Sequence, residues 1–299
     1  MNITLDQLKV LVAVNTSGSF SKTAELLGQT PSAISRKIGQ LERQLNIQLF
    51  TRTTRRISLT NEGRIITEKA QLALTIVNDI QDNAALSHGE PAGKLKVDAP
   101  TPFLEHCIMP YIDGFMKKYP KIQLELASFD HQIDLIAEQV DVAFRIGELK
   151  DSSLHYRRVG KSPLRIIASP EYLKNHGVPN HVNDLHQHAC IGFSQPLSLN
   201  HWPLIQDEQS KAFELNTKLA CSSGSLIRQA TLNGMGIACL ADFMTRNDLT
   251  QGRLVQVLTD ATITQYQPIH AVFYKPYQSS LKLKCFVDFI IESIADQLQ

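Results

Sequence analysis

Residues 19–64 read SFSKTAELLGQTPSAISRKIGQLERQLNIQLFTRTTRRISLTNEGR. The pivot of this stretch is Thr30-Pro31. A threonine hydroxyl can cap a helix, and proline suits the first helical position, where the N–H it lacks would have no partner. Beyond the pivot, Ile34, Ile38, Leu41 and Leu45 recur at spacings of four, three and four. That is one apolar stripe of an amphipathic helix over Pro31–Leu45. The other side carries Ser32, Ser35, Arg36 and Arg43. A shorter helix, Phe20–Leu27, turns Phe20, Ala24 and Leu27 inward and stops at Gly28. A sharp break followed by a helix with a polar, basic face is the form that a DNA major groove receives.

Working outward, residues 4–16 predict a first helix with Leu5, Leu8, Leu11 and Val12 on its apolar face. On the other side, Leu49–Leu59 alternates apolar residues at its ends and carries Arg52, Arg55 and Arg56 towards its tip. This is a short hairpin, or wing, whose arginines can reach phosphates or a minor groove. Thr60 then caps a long helix over 60–87. On it Ile66, Ala70, Ala73, Val77, Ile80 and Ala84 keep spacings of four and three. Such a stripe is a heptad seam for a partner helix, although a core helix of one globular domain has the same pattern. Leu72 and Ile76 are expected to pack back on the N-terminal domain.

The 299 residues carry a net charge of only +1, but the charge is uneven. Residues 1–65 hold nine Lys/Arg against four Asp/Glu, and the remainder holds 21 against 25. Only the first part is therefore expected to meet a polyanion. No apolar run is long enough to cross a membrane. Met1–Leu11 carries Asp6 and Lys9 on a periodic pattern, unlike a signal peptide. The expected location is the cytoplasm. The five cysteines are scattered and none forms a CxxC pair, so structural thiols are expected, with no disulfide framework or metal site. His186-x-His188 lacks companions at metal-ligand spacing. Gly234-x-Gly236 lacks the third glycine of a dinucleotide fingerprint. No nucleophile–base pair stands out, so no enzymatic activity and no cofactor are expected.

After Ser87–Gly93, a hinge by composition, the pattern changes. Strands at Leu95–Ala99, Ile122–Leu126, Val140–Arg145, Leu164–Ala168, Cys190–Phe193, Leu215–Ala220 and Gly236–Leu240 alternate with helices after Thr101, over 130–139, at Pro170 and over 224–233. A helix over 279–298 closes the chain. This predicts an α/β body with a parallel sheet in two lobes. The lobe changes near Val159–Leu164 and returns near Tyr266–Tyr274. The expected division is 1–59 for DNA binding, 60–87 for the linker helix and 88–92 for the hinge. Residues 93–162 with 269–299 form lobe I, and 163–268 form lobe II.

The SFSKTAELLGQTPSAISRKIGQLERQLNIQLFTR block followed by LTNEGR resembles the LysR-type transcriptional regulators. VDVAFRIGELKDSSLHYRRVG, ASPEYLKNHG and LNGMGIACLADFM are similar to the effector domain of that family, though bilobed solute-binding folds share the layout. The resemblance implies an α/β multidomain chain: an N-terminal winged helix-turn-helix, a long linker helix and a two-lobed, Rossmann-like effector domain of periplasmic-binding-protein type. It implies transcription regulation tuned by a small molecule. The implied partners are promoter DNA, a second copy through the linker helix (often as a dimer of dimers) and RNA polymerase, with no membrane. Carried onto this chain, Ser32, Ala33, Ser35 and Arg36 face the bases, and Thr30 belongs to the same DNA-binding set. Ser21 and Lys22 meet the backbone, and Arg52, Arg55 and Arg56 lie on the wing. Ile66, Ala70, Ala73, Val77, Ile80 and Ala84 are assigned to the dimer seam.

In open α/β sheets ligands sit beyond the carboxyl ends of strands. That rule and the resemblance together select Thr101, Ser128, Ser222 and Ser223 as effector contacts, with Arg145 as an ionic partner and Phe193 as a wall. The expected effector is an anionic metabolite. Each hydroxyl can equally be an ordinary helix cap, and Arg145 can equally pair with Glu148 or Asp141.

Overall fold

The structure, a computed structural model, describes residues 3–52, 57–86, 90–129, 135, 138–149, 154–205, 215, 217–274 and 280–298. The chain falls into two compact units, one built on Met1–Glu90 and the other beginning at Pro91.

The first unit contains α1 (Leu5–Ser17), α2 (Phe20–Leu27), α3 (Pro31–Leu45), β1 (Phe50–Arg52), β2 (Ile57–Leu59) and α4 (Asn61–Leu86). Its helix ends are chemically explicit. Thr4 and Gln7 form a reciprocal capping box on α1. Ser19 and Thr30 cap α2 and α3 through their hydroxyls. Gly18, Gly28 and Asn46 end the three helices in the left-handed conformation. Val10, Leu11, Val14, Ile34, Ile38, Leu41 and Leu49 are fully buried, and side chains of this kind each contribute about 1.5–3 kcal/mol on burial. Leu27, expected inside, is exposed. Thr23 takes an interior place beside Ala24, its hydroxyl bonded to the Ser19 carbonyl at 2.8 Å.

Helix α4 corrects the expected seam. Ala70 is buried in the N-terminal core, and Ile66 and Leu74 pack against that core. Thr67 and Gln71 are buried on the same side. Ala70 therefore serves the domain's own interior, and half-buried Ile66 packs beside it. Leu72 and Ile76, expected to pack back, are exposed together with Ile65 and Ile80. The sequence carries two apolar stripes on one helix, and α4 turns the one with Ala70 towards the N-terminal core, approaching Leu49 closely at Gly63. A Cβ at Gly63 would stand 2.1 Å from the Leu49 carbonyl oxygen. Thr60 braces the same place, its hydroxyl donating to the Gln48 carbonyl at 2.7 Å and accepting from the Gly63 N–H at 2.8 Å. Ala73 and Val77 are half-buried; the Ala84 side chain lies outside the described residues.

The second unit runs β3 (Gly93–Asp98), α5 (Thr101–Phe103), a π-helical turn (Leu104–Ile108), α6 (Met109–Lys118), β4 (Ile122–Ala127), β5 (Val142–Ile146), β6 (His155–Ala168), α7 (Pro170–His176), β7 (Cys190–Phe193), β8 (Thr217–Cys221), α8 (Gly224–Leu232), β9 (Ile237–Ala241), α9 (Asp242–Thr250), β10 (Val255–Gln256), β11 (Tyr266–Phe273) and α10 (Leu281–Ile294). The strand order is β4-β3-β5-β11-β6-β9-β7-β8, with β10 beside β6. Strands β4, β3 and β5 are parallel, as are β9, β7 and β8. The expected parallel sheet is broken in its middle. There β11 and β6 run antiparallel to their neighbours, because they are the two crossings between the lobes.

Strand β6 is far longer than the expected Leu164–Ala168. His155–Pro163 pairs with β11, and Leu164–Ile167 then pairs with β9. The expected helix over 130–139 lies largely outside the described residues. Helix α9, absent from the sequence reading, follows β9 without a break. Its core residues Phe243 and Met244 belong to a continuous apolar cluster that also holds Phe103, Phe115, Phe144 and Phe286. A second cluster around Tyr172, Leu185, Trp202 and Ile237 fills lobe II.

Replacing Gly63 by Ala is expected to destabilise the N-terminal unit by about 1–3 kcal/mol or more, because backbone must move to admit the methyl group. Urea unfolding of the full chain followed by far-ultraviolet circular dichroism measures this. An unchanged unfolding curve would contradict the close approach of α4 to Leu49.

Candidate functional site

Two groups of predicted residues can be placed. On the first unit, Ser21 and Lys22 are exposed in the first turn of α2, and Ser32 and Arg36 are exposed on α3. Ala33 and Ser35 are half-buried beside them. Thr30 is occupied in capping: its hydroxyl accepts from the Ala33 N–H at 3.3 Å and lies 3.1 Å from the Ser32 hydroxyl. Lys37 is held against α1 by Asp6 at 2.6 Å and donates to Gln29 at 2.8 Å. It therefore fixes α3 in place and leaves Arg36 as the outward cation of the helix's first half, with Arg43 exposed near its end. The strand bearing Arg52 is seen, but its side chain, with Arg55 and Arg56, lies outside the described residues.

On the second unit the strand ends converge on a cavity of about 260 Å³. Thr101, Ser128, Arg145, Phe193, Ser222 and Ser223 all line it. They come from the ends of β3, β4, β5, β7 and β8, which is why residues as distant in sequence as Thr101 and Ser223 meet. The Thr101 and Ser128 hydroxyls are 2.9 Å apart. Ser223 also caps α8 through the Leu226 N–H at 3.4 Å, leaving the Ser222 hydroxyl without that duty. Sequence reasoning did not single out Phe129, Leu164, Leu199 or Met244, which supply the apolar wall, or Gln195 and Gln267. Leu164 and Gln267 lie where the crossing strands meet. Only the length of β6 could have signalled them.

Arg145 has a different partner from either residue weighed in the sequence. Its Nη1 donates to Asp98 Oδ2 at 2.7 Å, and Asp98 is 1% exposed. Asp98 also accepts the Phe129 N–H at 3.2 Å. Asp141 accepts from the Lys96 N–H at 2.9 Å instead. The pair arises because Asp98 and Arg145 are placed on neighbouring parallel strands, with Asp98 beside Ala143 in the register of β3 and β5. Among the described residues that line the cavity, Arg145 alone carries a formal charge, and Asp98 balances it.

On one flank the lobes touch directly. Phe103 meets Phe243 edge to face with ring centres 5.8 Å apart. Ser225 donates to Glu105 at 2.6 Å, and the Phe243 N–H donates to the buried Ser162 hydroxyl at 3.1 Å.

The other chemical candidates have structural duties. All five cysteines are unpaired. Burial pushes the Cys107 thiol up to about 12 and Cys190 up to about 11, which suppresses the reactive thiolate. His186-x-His188 is no pair of ligands: the Tyr172 hydroxyl lies 3.2 Å from His188 Nδ1 and accepts the Ala189 N–H at 2.9 Å. Among the described residues no His, Cys, Asp and Glu side chains gather as a metal site. Nor is any helix there long and apolar enough to cross a membrane.

Comparison with known proteins assigns the two units. The model of the bacterial regulatory helix-turn-helix proteins of the lysR family matches residues 5–64, and that of the LysR substrate binding domain matches 88–295. The chain belongs to the LysR family of transcriptional regulators. It is similar to the HTH-type transcriptional regulator CrgA of Neisseria meningitidis serogroup C, strain 8013. The two are 39% identical over 298 residues, covering 100% of this chain and 99% of that one. The solved structure of CrgA, a LysR-type transcriptional regulator from Neisseria meningitidis, matches with a TM-score of 0.66 over 98% of this chain and 99% of that one. The HTH-type transcriptional regulator DmlR of Escherichia coli strain K12 is 31% identical over 98% of this chain and 95% of its own. As a LysR-family member the chain is a DNA-binding, effector-binding transcriptional regulator that oligomerises, and not an enzyme.

Burial of His188 generates a pH dependence. To accept the tyrosine proton, His188 Nδ1 must be unprotonated, and burial lowers the His188 pKa below its usual 6.5, helped by nearby His176. The unfolded chain then binds more protons than the folded one in the window just below pH 6.5. Stability contributed by this group is complete above that pH and is lost as pH falls through the window. In His188→Gln this loss is expected to vanish with the titrating ring, while Tyr172→Phe is expected to cost about 1–3 kcal/mol at pH 8 from the stranded Ala189 N–H. Thermal unfolding between pH 5 and 8 (about the His range) measures both. A His188→Gln protein that keeps the wild-type acid slope would contradict this source of the pH dependence.

Proposed function

We propose that the protein acts in the cytoplasm as a sequence-specific reader of promoter DNA, and that a small molecule in the cleft between the lobes changes how it binds or bends that DNA. The observation that carries this is the separation of duties within one chain: an outward Arg36 on a firmly capped α3 in a basic unit, and a cavity at converging strand ends in a mildly acidic one. In this reading Arg36 contacts a guanine edge, where a bidentate pair discriminates by about 1–3 kcal/mol. Ser32, Ala33 and Ser35 line the same groove. Ser21, Lys22 and the wing arginines hold the backbone. Effector contacts are Thr101, Ser128, Ser222 and Ser223 through hydroxyls, Arg145 through its remaining N–H groups, and Phe193 through its ring.

We assign the pairing of two copies to the exposed side of α4, with Leu72 and Ile76 joining Ile80 in place of Ile66 and Ala70 in the seam. Ala73 and Val77 border it. Two copies give two recognition helices for two half-sites. A dimer of dimers and contact with RNA polymerase extend the same reading.

Two sets of variants test it. On DNA selected by the protein from a random pool, Arg36→Ala is expected to lose about 1–3 kcal/mol of discrimination between the selected site and a scrambled one. Lys22→Ala should weaken both DNAs alike and lower the salt slope by about one. Wild-type binding by both variants, in gel-shift assays across salt concentrations, would remove α2 and α3 from the interface. Leu72→Glu combined with Ile76→Glu is expected to sediment as a smaller species than the wild type. Unchanged sedimentation would contradict the reassigned seam.

A further inference from the structure

We propose that the cleft selects a small monocarboxylate with an apolar body, and discriminates against dicarboxylates and phosphate esters. This rests on the reading of the cleft as the effector site, and it narrows the expectation of an anionic ligand to one charge.

The inference follows from the charge balance of the cavity wall. Arg145 is the one formally charged residue among the described lining residues, and its guanidinium is already bonded to Asp98. Asp98 cannot readily leave. It is 1% exposed and also receives the Phe129 N–H. A buried carboxylate stripped of its cation carries a large desolvation penalty, so a ligand carboxylate cannot displace Asp98 without stranding it. The Asp98–Arg145 pair therefore presents N–H donors to the cavity but no net positive charge.

Favourable potential for one anionic group remains. The cavity is lined by the hydroxyls of Thr101, Ser128, Ser222 and Ser223. The nine-residue helix α8 begins at Gly224 on its edge, and the first turn of a helix carries a partial charge of about +0.5. Hydroxyl donors, the Arg145 N–H groups and this dipole suit one carboxylate. A second carboxylate would enter without a counter-charge, among Phe129, Phe193, Leu164, Leu199 and Met244. An unpaired charge in such surroundings is strongly penalised, whereas an alkyl or aryl body gains from them. The modest volume sets the size class, since ligand cavities usually reach or exceed about 300 Å³.

The test uses matched acids that differ by one carboxylate: benzoate against phthalate, and butyrate against succinate. Each is titrated into the full chain by calorimetry. At least one monocarboxylate is expected to bind, and to do so at least about ten-fold more tightly than its dicarboxylate partner. Asp98→Asn keeps an acceptor for the Phe129 N–H but releases Arg145, so it should shift the preference towards the dicarboxylate. Adding Arg145→Gln should restore the wild-type preference. The proposal is overturned if no monocarboxylate binds, if a dicarboxylate binds the wild type as tightly as its partner, or if a well-folded Asp98→Asn leaves the preference unmoved. Ser222→Trp, which fills the cavity, separates the two readings. Monocarboxylate binding that survives it places the ligand elsewhere and defeats the cleft assignment itself.

Discussion

Strand β6 is hydrogen-bonded to both lobes along its length, to β11 over its first nine residues and to β9 over the next four, with β10 beside its end. The rest of the second unit depends on this constraint. A strand shared by two sheets must place both of them on a common axis, and the parallel strands of each lobe then end near the same crossing. The cavity is the space those ends enclose. It is lined by Leu164 from β6 itself and by Gln267 from β11, the returning strand. Neither lobe could hold the polar contacts alone, since Thr101, Ser128 and Arg145 belong to one and Ser222 and Ser223 to the other.

The same crossing limits how the lobes can move. The Phe103–Phe243 contact, the Ser225–Glu105 hydrogen bond and the Phe243 N–H bond to Ser162 all tie the lobes together on one flank. A wide opening would expose the aromatic pair and break both hydrogen bonds. A small rotation about β6 and β11 would keep the aromatic contact. A rotation of this kind transmits a signal when it is repeated across copies of the chain, because DNA bending depends on where paired recognition helices stand.

Much of this could be read from the sequence because it is local. Thr30-Pro31, Gly28 and Asn46 mark the ends of α2 and α3 by backbone chemistry that needs no tertiary context, and those ends are where the structure has them. The six residues chosen for the cleft do line one cavity, because strand ends in α/β sheets follow a geometric rule. What could not be read depends on register and packing. Whether Ile66 and Ala70 or Leu72 and Ile76 faced the core depended on the tertiary packing of α4, because both stripes have helical spacing. The partner of Arg145 depended on the pairing of β3 with β5, which carries no mark in the sequence. Strand β6 was read short because polar residues dominate His155–Arg158, and there only its pairing with β11 reveals a strand.

On the proposed reading, occupancy of the cleft on the second unit governs how the first unit holds DNA. The most direct measurement needs no knowledge of the effector. The bend angle and affinity of a DNA fragment selected by the wild-type protein are compared between the ligand-free wild type and Ser222→Trp, whose indole occupies the cavity. A change in bend angle or affinity at equal protein stability is the predicted result. Identical bending and affinity for the two proteins would contradict the claim.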